Sequence, residues 1–101
     1  MLIFNTTYKV ETDSYAQWLK WVNTFHIPFM LESGEFSKPQ LAKVIGSEDD
    51  GGSSFSLQFH IKDMDTLMNW HRNHVEDFQQ KCAVEFGNKV IFFSTVLEII
   101  D

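Results

Sequence analysis

The stretch SFSLQFHI, residues 54–61, carries the clearest structural pattern in this sequence. Polar and apolar residues alternate at every position, which is typical of a β-strand with one face in the core. The apolar face consists of Phe55, Leu57, Phe59 and Ile61, and the polar face of Ser54, Ser56, Gln58 and His60. We therefore predict a strand whose apolar face is covered by other elements of the fold.

A helix is predicted upstream of this strand. Apolar residues recur there at three- and four-residue spacing, which indicates an amphipathic helix; they are Tyr15, Trp18, Leu19, Val22 and Phe25. Trp21 lies to the side of this stripe. We expect the helix to end near His26, because Pro28 disfavours helical geometry at Ile27. A short helical turn over residues 29–33, closed by Gly34, is expected to follow.

A longer helix is predicted downstream of the strand, capped by Asp63 or Asp65 at its start. Its apolar stripe again has helical spacing and consists of Met64, Leu67, Met68, His71, Val75, Phe78, Cys82 and Phe86. Gly87 follows directly and is a natural helix stop, since glycine adopts the left-handed conformation that commonly ends helices.

Three further strands complete the pattern. Residues 2–10 alternate, and Leu2, Phe4, Tyr8 and Val10 share one face. Residues 37–46 form a second strand, which Pro39 assigns to a sheet edge because proline has no amide donor. A polar, glycine-rich turn over residues 47–53 joins it to the strand at 54–61. Residues 89–100 form the last strand.

The predicted element order is β-α-β-β-α-β over a single domain of residues 1–101. This order predicts the ferredoxin-like α+β sandwich, in which both helices cover one face of a four-stranded antiparallel sheet. Right-handed crossovers then place the first and third strands in the middle of the sheet.

The sheet face away from the helices has a mixed character. We assign to it Ile3, Asn5, Thr7, Ser54, Ser56, Gln58, His60, Val90, Phe92 and Val96. This face is apolar along the last strand and polar at its centre, which a second copy stacked sheet to sheet would explain. The interface candidates are Ile3, Asn5, His60, Val90, Phe92 and Val96. The alternative is a solvated sheet with scattered apolar residues, which is common.

Composition narrows the classes of partner. The formal net charge is -6, and eight Lys and Arg residues are spread along the chain. This charge pattern disfavours nucleic acid as a partner, because proteins that bind nucleic acid have a basic patch. The single cysteine, Cys82, cannot form an intrachain disulfide and suits a reducing compartment. We find no basic region or apolar run typical of a secretory signal and no span of about 18 apolar residues. We therefore expect a cytoplasmic protein without a membrane partner.

Several short motifs resemble an uncharacterised bacterial family, domain-of-unknown-function 4286. They are the run WLKW at residues 18–21, the run HIP at 26–28, Gly34, and the runs FGNK at 86–89 and FSTVLE at 93–98. The resemblance spans nearly the whole chain and implies a relative of the dimeric α+β barrel proteins. That superfamily includes cofactor-free monooxygenases, lactone isomerases, haem enzymes and amino-acid-binding regulatory domains, so the resemblance leaves the chemistry open.

A small, partly apolar ligand would lie between the helices and the sheet, and five side chains are candidates for its pocket: Tyr8, Trp18, Trp21, His26 and His71. For Trp18 the competing interpretation is simple core packing. For His26 it is capping of a helix C-terminus, where an imidazolium is favoured. The alternative function is a cofactor-independent enzyme of the monooxygenase or isomerase type with His26 as acid/base. That alternative requires His26, Tyr8 or His71 to converge on a cavity open to solvent.

No motif implies a cofactor or a metal. His71 and His74 are three residues apart on the second helix, and a metal site there would need a third ligand such as Asp77 or Glu85. Helical spacing alone does not indicate one. Cys82 falls on the apolar stripe, where a thiol behaves as a small hydrophobic group.

Overall fold

The computed structural model describes residues 1–48 and 51–100, with the side chains of residues 75 and 77–79 left undescribed. The strands are β1 (Leu2–Glu11), β2 (Phe36–Lys43), β3 (Gly52–Ile61) and β4 (Val90–Glu98), and the α-helices are α1 (Tyr15–Trp21), α2 (Ile27–Glu32) and α3 (Met64–Phe86). Short 3₁₀ turns cover Thr12–Ser14 and Gly87–Lys89, and a π-helical segment covers Val22–His26. Residues 49 and 50, in the predicted turn, lie outside the described part.

The four strands form one antiparallel sheet in the order β2-β3-β1-β4. This confirms that the first and third strands lie in the middle. β1 and β3 pair along their whole length, from Leu2 opposite Ile61 to Glu11 opposite Gly52. Their alternating burial shows why: the residues predicted to face the helices, such as Phe4, Tyr8, Leu57 and Phe59, are buried.

β2 lies at a sheet edge, as Pro39 predicted. The pairing of β2 with β3 shifts between Ser37 and Gln40, which places Pro39 in an irregular stretch. Lys38, just before it, has a φ of 51°. A strand edge and a bulge are the two places where the missing amide of proline costs no ladder hydrogen bond.

The face assignment of β4 is corrected by its register. Tyr8 lies opposite Phe92, Phe4 opposite Val96, and Val10 opposite Val90. Residues directly opposite each other in an antiparallel pair point to the same face. Val90, Phe92 and Val96 therefore lie on the helix-facing side, and their assignment to the outer face was wrong. Both alternating sets of β4 are apolar, so the sequence pattern could not decide between them.

The helix that begins at Tyr15 does not end at His26. It passes through the π-helical segment and continues through Ile27 and Pro28 to Glu32. Pro28 is the second residue of α2 and lies two residues after the end of the π-helical segment. The side chains of Asn23 and Thr24 donate to the carbonyls of Leu19 and Lys20 in the preceding turn, at 3.1 Å and 2.7 Å.

The second predicted helix is observed as α3, and of its two predicted caps the structure has Asp63. The Asp63 carboxylate caps its start by accepting from the Thr66 amide at 2.9 Å, and Gly87 ends it with a φ of 58°. The buried stripe residues are Leu67, Trp70, Cys82 and Phe86. Trp70 was missed from the predicted stripe, and Met64, Met68 and His71 are exposed. Val75 and Phe78 lie outside the described side chains.

Candidate functional site

Two polar atoms lie in the middle of the core without a hydrogen-bond partner among the described residues. They are the Tyr8 hydroxyl and the Trp18 indole N–H, which we call the buried donor pair. Both side chains are 0% exposed, and their ring centroids are 5.3 Å apart. Tyr8 comes from the central strand β1 and Trp18 from α1, so the pair joins the sheet to the helical layer. Both were predicted as pocket residues.

The surroundings of the buried donor pair are otherwise apolar. Phe92 packs on Tyr8 with ring centroids 5.5 Å apart, and Phe55 packs on Trp18 at 5.0 Å. Cys82 lies close enough to Tyr8 to influence its ionisation. Cys82 and Phe92 also line a groove of about 240 Å³ between the end of α3 and the start of β4, which we call the α3–β4 groove. Phe92 therefore both packs on Tyr8 and lines the α3–β4 groove.

The ionisable groups of this interior are held uncharged. Burial raises the pKa of Tyr8 well above its ordinary value, and the neighbouring Cys82 adds to the increase. Burial also raises the pKa of the Cys82 thiol to about 11. At neutral pH the site therefore presents a phenol, a thiol and an indole, all neutral, among aromatic rings.

His26 is placed differently from either interpretation of the sequence. It lies inside a continuous helix, not at a helix C-terminus, and is 2% exposed. Burial lowers its pKa to about 4, so it is a neutral imidazole at physiological pH. Its ring stacks on Trp21. The dipole-capping role predicted for His26 is therefore wrong.

The enzyme alternative required His26, Tyr8 or His71 to meet at an open cavity. Among the described residues that line the four main grooves, none of these three side chains appears. His71 is exposed on α3. In the described part of the chain, His26, Tyr8 and His71 therefore do not converge on any of these four grooves.

The histidines of α3 also stay apart. His74 packs against Trp70 and Phe29, with ring centroids 5.7 Å and 6.3 Å away, while His71 points to solvent. Asp77, considered as a third metal ligand, lies outside the described side chains. In the part of the chain that the structure describes, no group of three or more potential ligands could hold a metal ion.

A larger groove, of about 570 Å³, lies between the first helical region and the C-terminal half of α3. We call it the interhelical groove; its lining consists of Trp21, Phe25, Gln80, Lys81, Val84 and Glu85. Only Trp21 was predicted as a pocket residue. The sequence feature that could have identified this wall is the four-residue spacing of Trp21 and Phe25, which places two rings along one side of a helix.

The sheet face away from the helices, the outer sheet face, carries Ile3, Asn5 and His60 as predicted. From β4 it carries Ile91, Phe93 and Leu97, which are 59%, 61% and 44% exposed. At its centre, Asn5 donates to Thr7 and Thr95 at 3.2 Å and 3.1 Å and accepts from Ser56 at 2.5 Å. The polar centre is thus internally hydrogen-bonded and flanked by an exposed apolar strand.

Comparison with known proteins agrees with this fold. The family model described as "Domain of unknown function (DUF4286)" matches residues 1–100, and the chain therefore belongs to that family. Among curated proteins, none matches significantly.

Two solved structures are similar to the chain. One is an ethyl tert-butyl ether D (EthD) family protein from Bacillus halodurans C-125, with 13% identity, a TM-score of 0.67, and coverage of 99% of this chain and 100% of that one. The other is a dimeric ferredoxin-like protein from an uncultured marine organism, with 10% identity, a TM-score of 0.65, and coverage of 98% and 95%. At these identities the likeness establishes the ferredoxin-like fold. None of the described helices is long and apolar enough to cross a membrane.

Proposed function

We propose that this member of the DUF4286 family is a homodimeric binding domain for a small, uncharged, partly apolar molecule held between the helices and the sheet. The observation that carries the proposal is the buried donor pair: Tyr8 and Trp18 each bring a hydrogen-bond donor into the core without a protein acceptor among the described residues. An unpaired buried polar group costs about 1–3 kcal/mol of stability. Such groups call for an explanation, and a ligand with an acceptor oxygen supplies one.

The electrostatics of the interior support an uncharged ligand. Tyr8 and Cys82 both resist ionisation, because burial raises the pKa of each. A charged molecule would be strongly disfavoured beside them, since transfer of an unpaired charge into an apolar site is expensive. A carbonyl or ether oxygen would accept from the phenol and the indole, while an apolar body would pack among rings such as Phe92. Neither Tyr8 nor Trp18 lines this or the other described grooves, so the ligand would reach them by displacing the Cys82 or Phe92 side chains that line the α3–β4 groove.

The homodimeric part of the proposal is supported by the outer sheet face. Three neighbouring apolar side chains of β4 are exposed on this face, namely Ile91, Phe93 and Leu97. Together they form an apolar strip, which a partner could cover. The central polar group of the face, Asn5, is already hydrogen-bonded within the chain. A second copy could therefore cover this face without leaving Asn5 unpaired. A solved structure of the same fold is described as dimeric, which agrees with this arrangement.

The cellular setting we propose is the bacterial cytoplasm. The lone thiol of Cys82 is buried and forms no disulfide, as is usual in a reducing compartment. The net charge of -6 favours solubility over contact with anionic surfaces.

The ligand site is tested by thermal shift with acetophenone and ethylbenzene, which differ in a carbonyl oxygen. We expect acetophenone to raise the melting temperature of the wild-type protein by mass action, and ethylbenzene to do so far less. Tyr8→Phe should abolish the difference between the two compounds. Its own melting temperature should equal or exceed that of the wild type, because the substitution removes an unpaired buried hydroxyl.

Tyr15→Phe is the matched control, since the Tyr15 ring is 40% exposed and lies outside the core. This variant should respond to acetophenone as the wild type does. Equal shifts in the wild type and in Tyr8→Phe, or no preference for the ketone over the hydrocarbon, would overturn the proposed site.

A further inference from the structure

The interhelical groove has the size and lining of a ligand site, and it lies apart from the buried donor pair. Its volume of about 570 Å³ falls within the range of about 300–1,000 Å³ typical of small-molecule pockets. Neither Tyr8 nor Trp18 contributes to its described lining. Any ligand of this groove therefore meets a different set of groups from the ligand of the interior.

One wall of the groove carries the rings of Trp21 and Phe25, and Phe29 continues this aromatic row beyond the groove's described lining. Trp21 and Phe25 have ring centroids 5.8 Å apart, and Phe25 and Phe29 lie nearly parallel, with centroids 6.1 Å apart and planes at 10°. Phe25 is 37% exposed, and Val84 on the facing helix α3 is 77% exposed. The groove thus offers an open, flat apolar surface, which suits a planar or extended apolar body.

A cation is fixed at the edge of this surface. The Lys81 ammonium lies 5.0 Å from the centroid of the Phe25 ring and 4.9 Å from that of Phe29. Attraction between a cation and the aromatic faces holds it there. Because the protein's own ammonium already lies beside the Phe25 and Phe29 rings, it would repel an external cation, whereas an anion would find a positioned partner. Glu85 lies one helical turn further along α3 and also lines the groove. Because its carboxylate would repel an anion, the charged end of the ligand is expected beside Lys81.

We propose that the interhelical groove is a second ligand site, specific for organic anions with a flat apolar body, such as aryl carboxylates. The apolar body packs on Trp21 and Phe25, and the carboxylate accepts from the Lys81 ammonium. This site differs from the interior site in the charge of its ligand, so each can be tested without the other.

The probe is 2-naphthoate, with the uncharged 2-naphthylmethanol as its matched analogue, measured by isothermal titration calorimetry. We expect the wild-type protein to bind 2-naphthoate more tightly than the alcohol. Lys81→Met, which keeps the chain length and removes the charge, should weaken naphthoate binding by about tenfold, the loss expected for one charge-assisted hydrogen bond. Lys81→Arg should restore most of the affinity, and Glu85→Gln should increase it.

Lys62→Met is the control for net charge, because Lys62 is exposed and lies at the opposite end of α3. It should bind 2-naphthoate as the wild type does, and so should Tyr8→Phe, which separates this site from the interior one. Three results would overturn the proposal: no binding of 2-naphthoate, equal loss in the Lys81→Met and Lys62→Met variants, or preference for 2-naphthylmethylamine over the carboxylate. The last result would identify a cation site instead.

Discussion

The rings of Trp21 and His26 stack face to face although the two residues are five positions apart on one helix. Their centroids are 5.2 Å apart and their planes differ by 4°. The π-helical segment Val22–His26 explains this contact, because π-helical hydrogen bonds join residues i and i+5 and bring those positions over one another. His26 also follows Trp18 and Val22 at four-residue spacing, and all three side chains are buried in the core.

The burial of His26 predicts a pH-dependent stability. Its pKa is lowered from 6.5 to about 4 in the folded protein, so below pH 6.5 the unfolded state binds a proton that the folded state does not. Stability should therefore fall as the pH decreases from 6.5 towards 4. The loss between pH 7 and pH 4.5 is about 2 kcal/mol from this residue alone.

This loss is measured by urea denaturation of the wild type and His26→Gln at both pH values. The variant should show a smaller decrease, since it lacks the titrating group, while carboxylates contribute equally to both proteins. His71→Gln, at an exposed position, should behave as the wild type does. The same decrease in all three proteins would contradict the buried, neutral state of His26.

The outer sheet face predicts which β4 residue controls assembly. Phe93→Asp should convert a dimer of two 11.8 kDa chains into a folded monomer, because Phe93 is 61% exposed on the face that a second copy would cover. Light scattering gives the mass, and circular dichroism checks that the fold persists. A wild-type mass of one chain at micromolar concentration would exclude the homodimer.

Substitution of the neighbouring residue, Phe92, should have a different effect from substitution of Phe93. Phe92 packs on Tyr8 on the helix-facing side, with ring centroids 5.5 Å apart. Phe92→Asp should therefore lower the melting temperature of the chain itself, since it places a carboxylate next to the core. If Phe92→Asp dissociates the dimer and Phe93→Asp does not, the face assignment from the register is wrong.

The close pairing of β1 with β3 predicts that Gly52 cannot be replaced by a residue with a side chain without loss of stability. Gly52 is buried opposite Glu11, and a Cβ atom there would collide with the carbonyl oxygen of Val10. Because the obstacle is backbone, it cannot rotate away, and Gly52→Ala should destabilise the protein by about 1–3 kcal/mol. Gly51→Ala is the control, since a Cβ at Gly51 meets open space. Equal stability of the two variants in urea would contradict this close approach.

The environment of Cys82 predicts an unreactive thiol. It is 1% exposed and its pKa is raised from 9.0 to about 11, which reduces the thiolate fraction at a given pH by about a hundredfold. Iodoacetamide should therefore label the native protein slowly and the urea-unfolded protein rapidly. Fast stoichiometric labelling of the native protein would show that the α3–β4 groove opens as far as the thiol.

The sequence by itself determined the elements and their order. Strict alternation at residues 54–61 and at 2–10 identified the two central strands, and Pro39 and Gly87 marked a sheet edge and a helix end. These features depend on local rules, namely side-chain periodicity and the backbone limits of proline and glycine. The pocket candidates Tyr8 and Trp18 followed from the same rules, since a stripe shows which side chains face inward.

Three features depended on the tertiary structure. β4 has apolar residues on both faces, so only its register with β1 assigned Phe92 inward and Phe93 outward. The helix continues through Ile27 and Pro28 to Glu32 by way of the π-helical segment Val22–His26, which no local rule applied to the sequence indicated. The Tyr8–Phe92 and Lys81–Phe25 contacts join residues more than 50 positions apart in sequence. A periodic pattern gives the face on which each residue lies, but the partner it meets there is decided only when the layers pack.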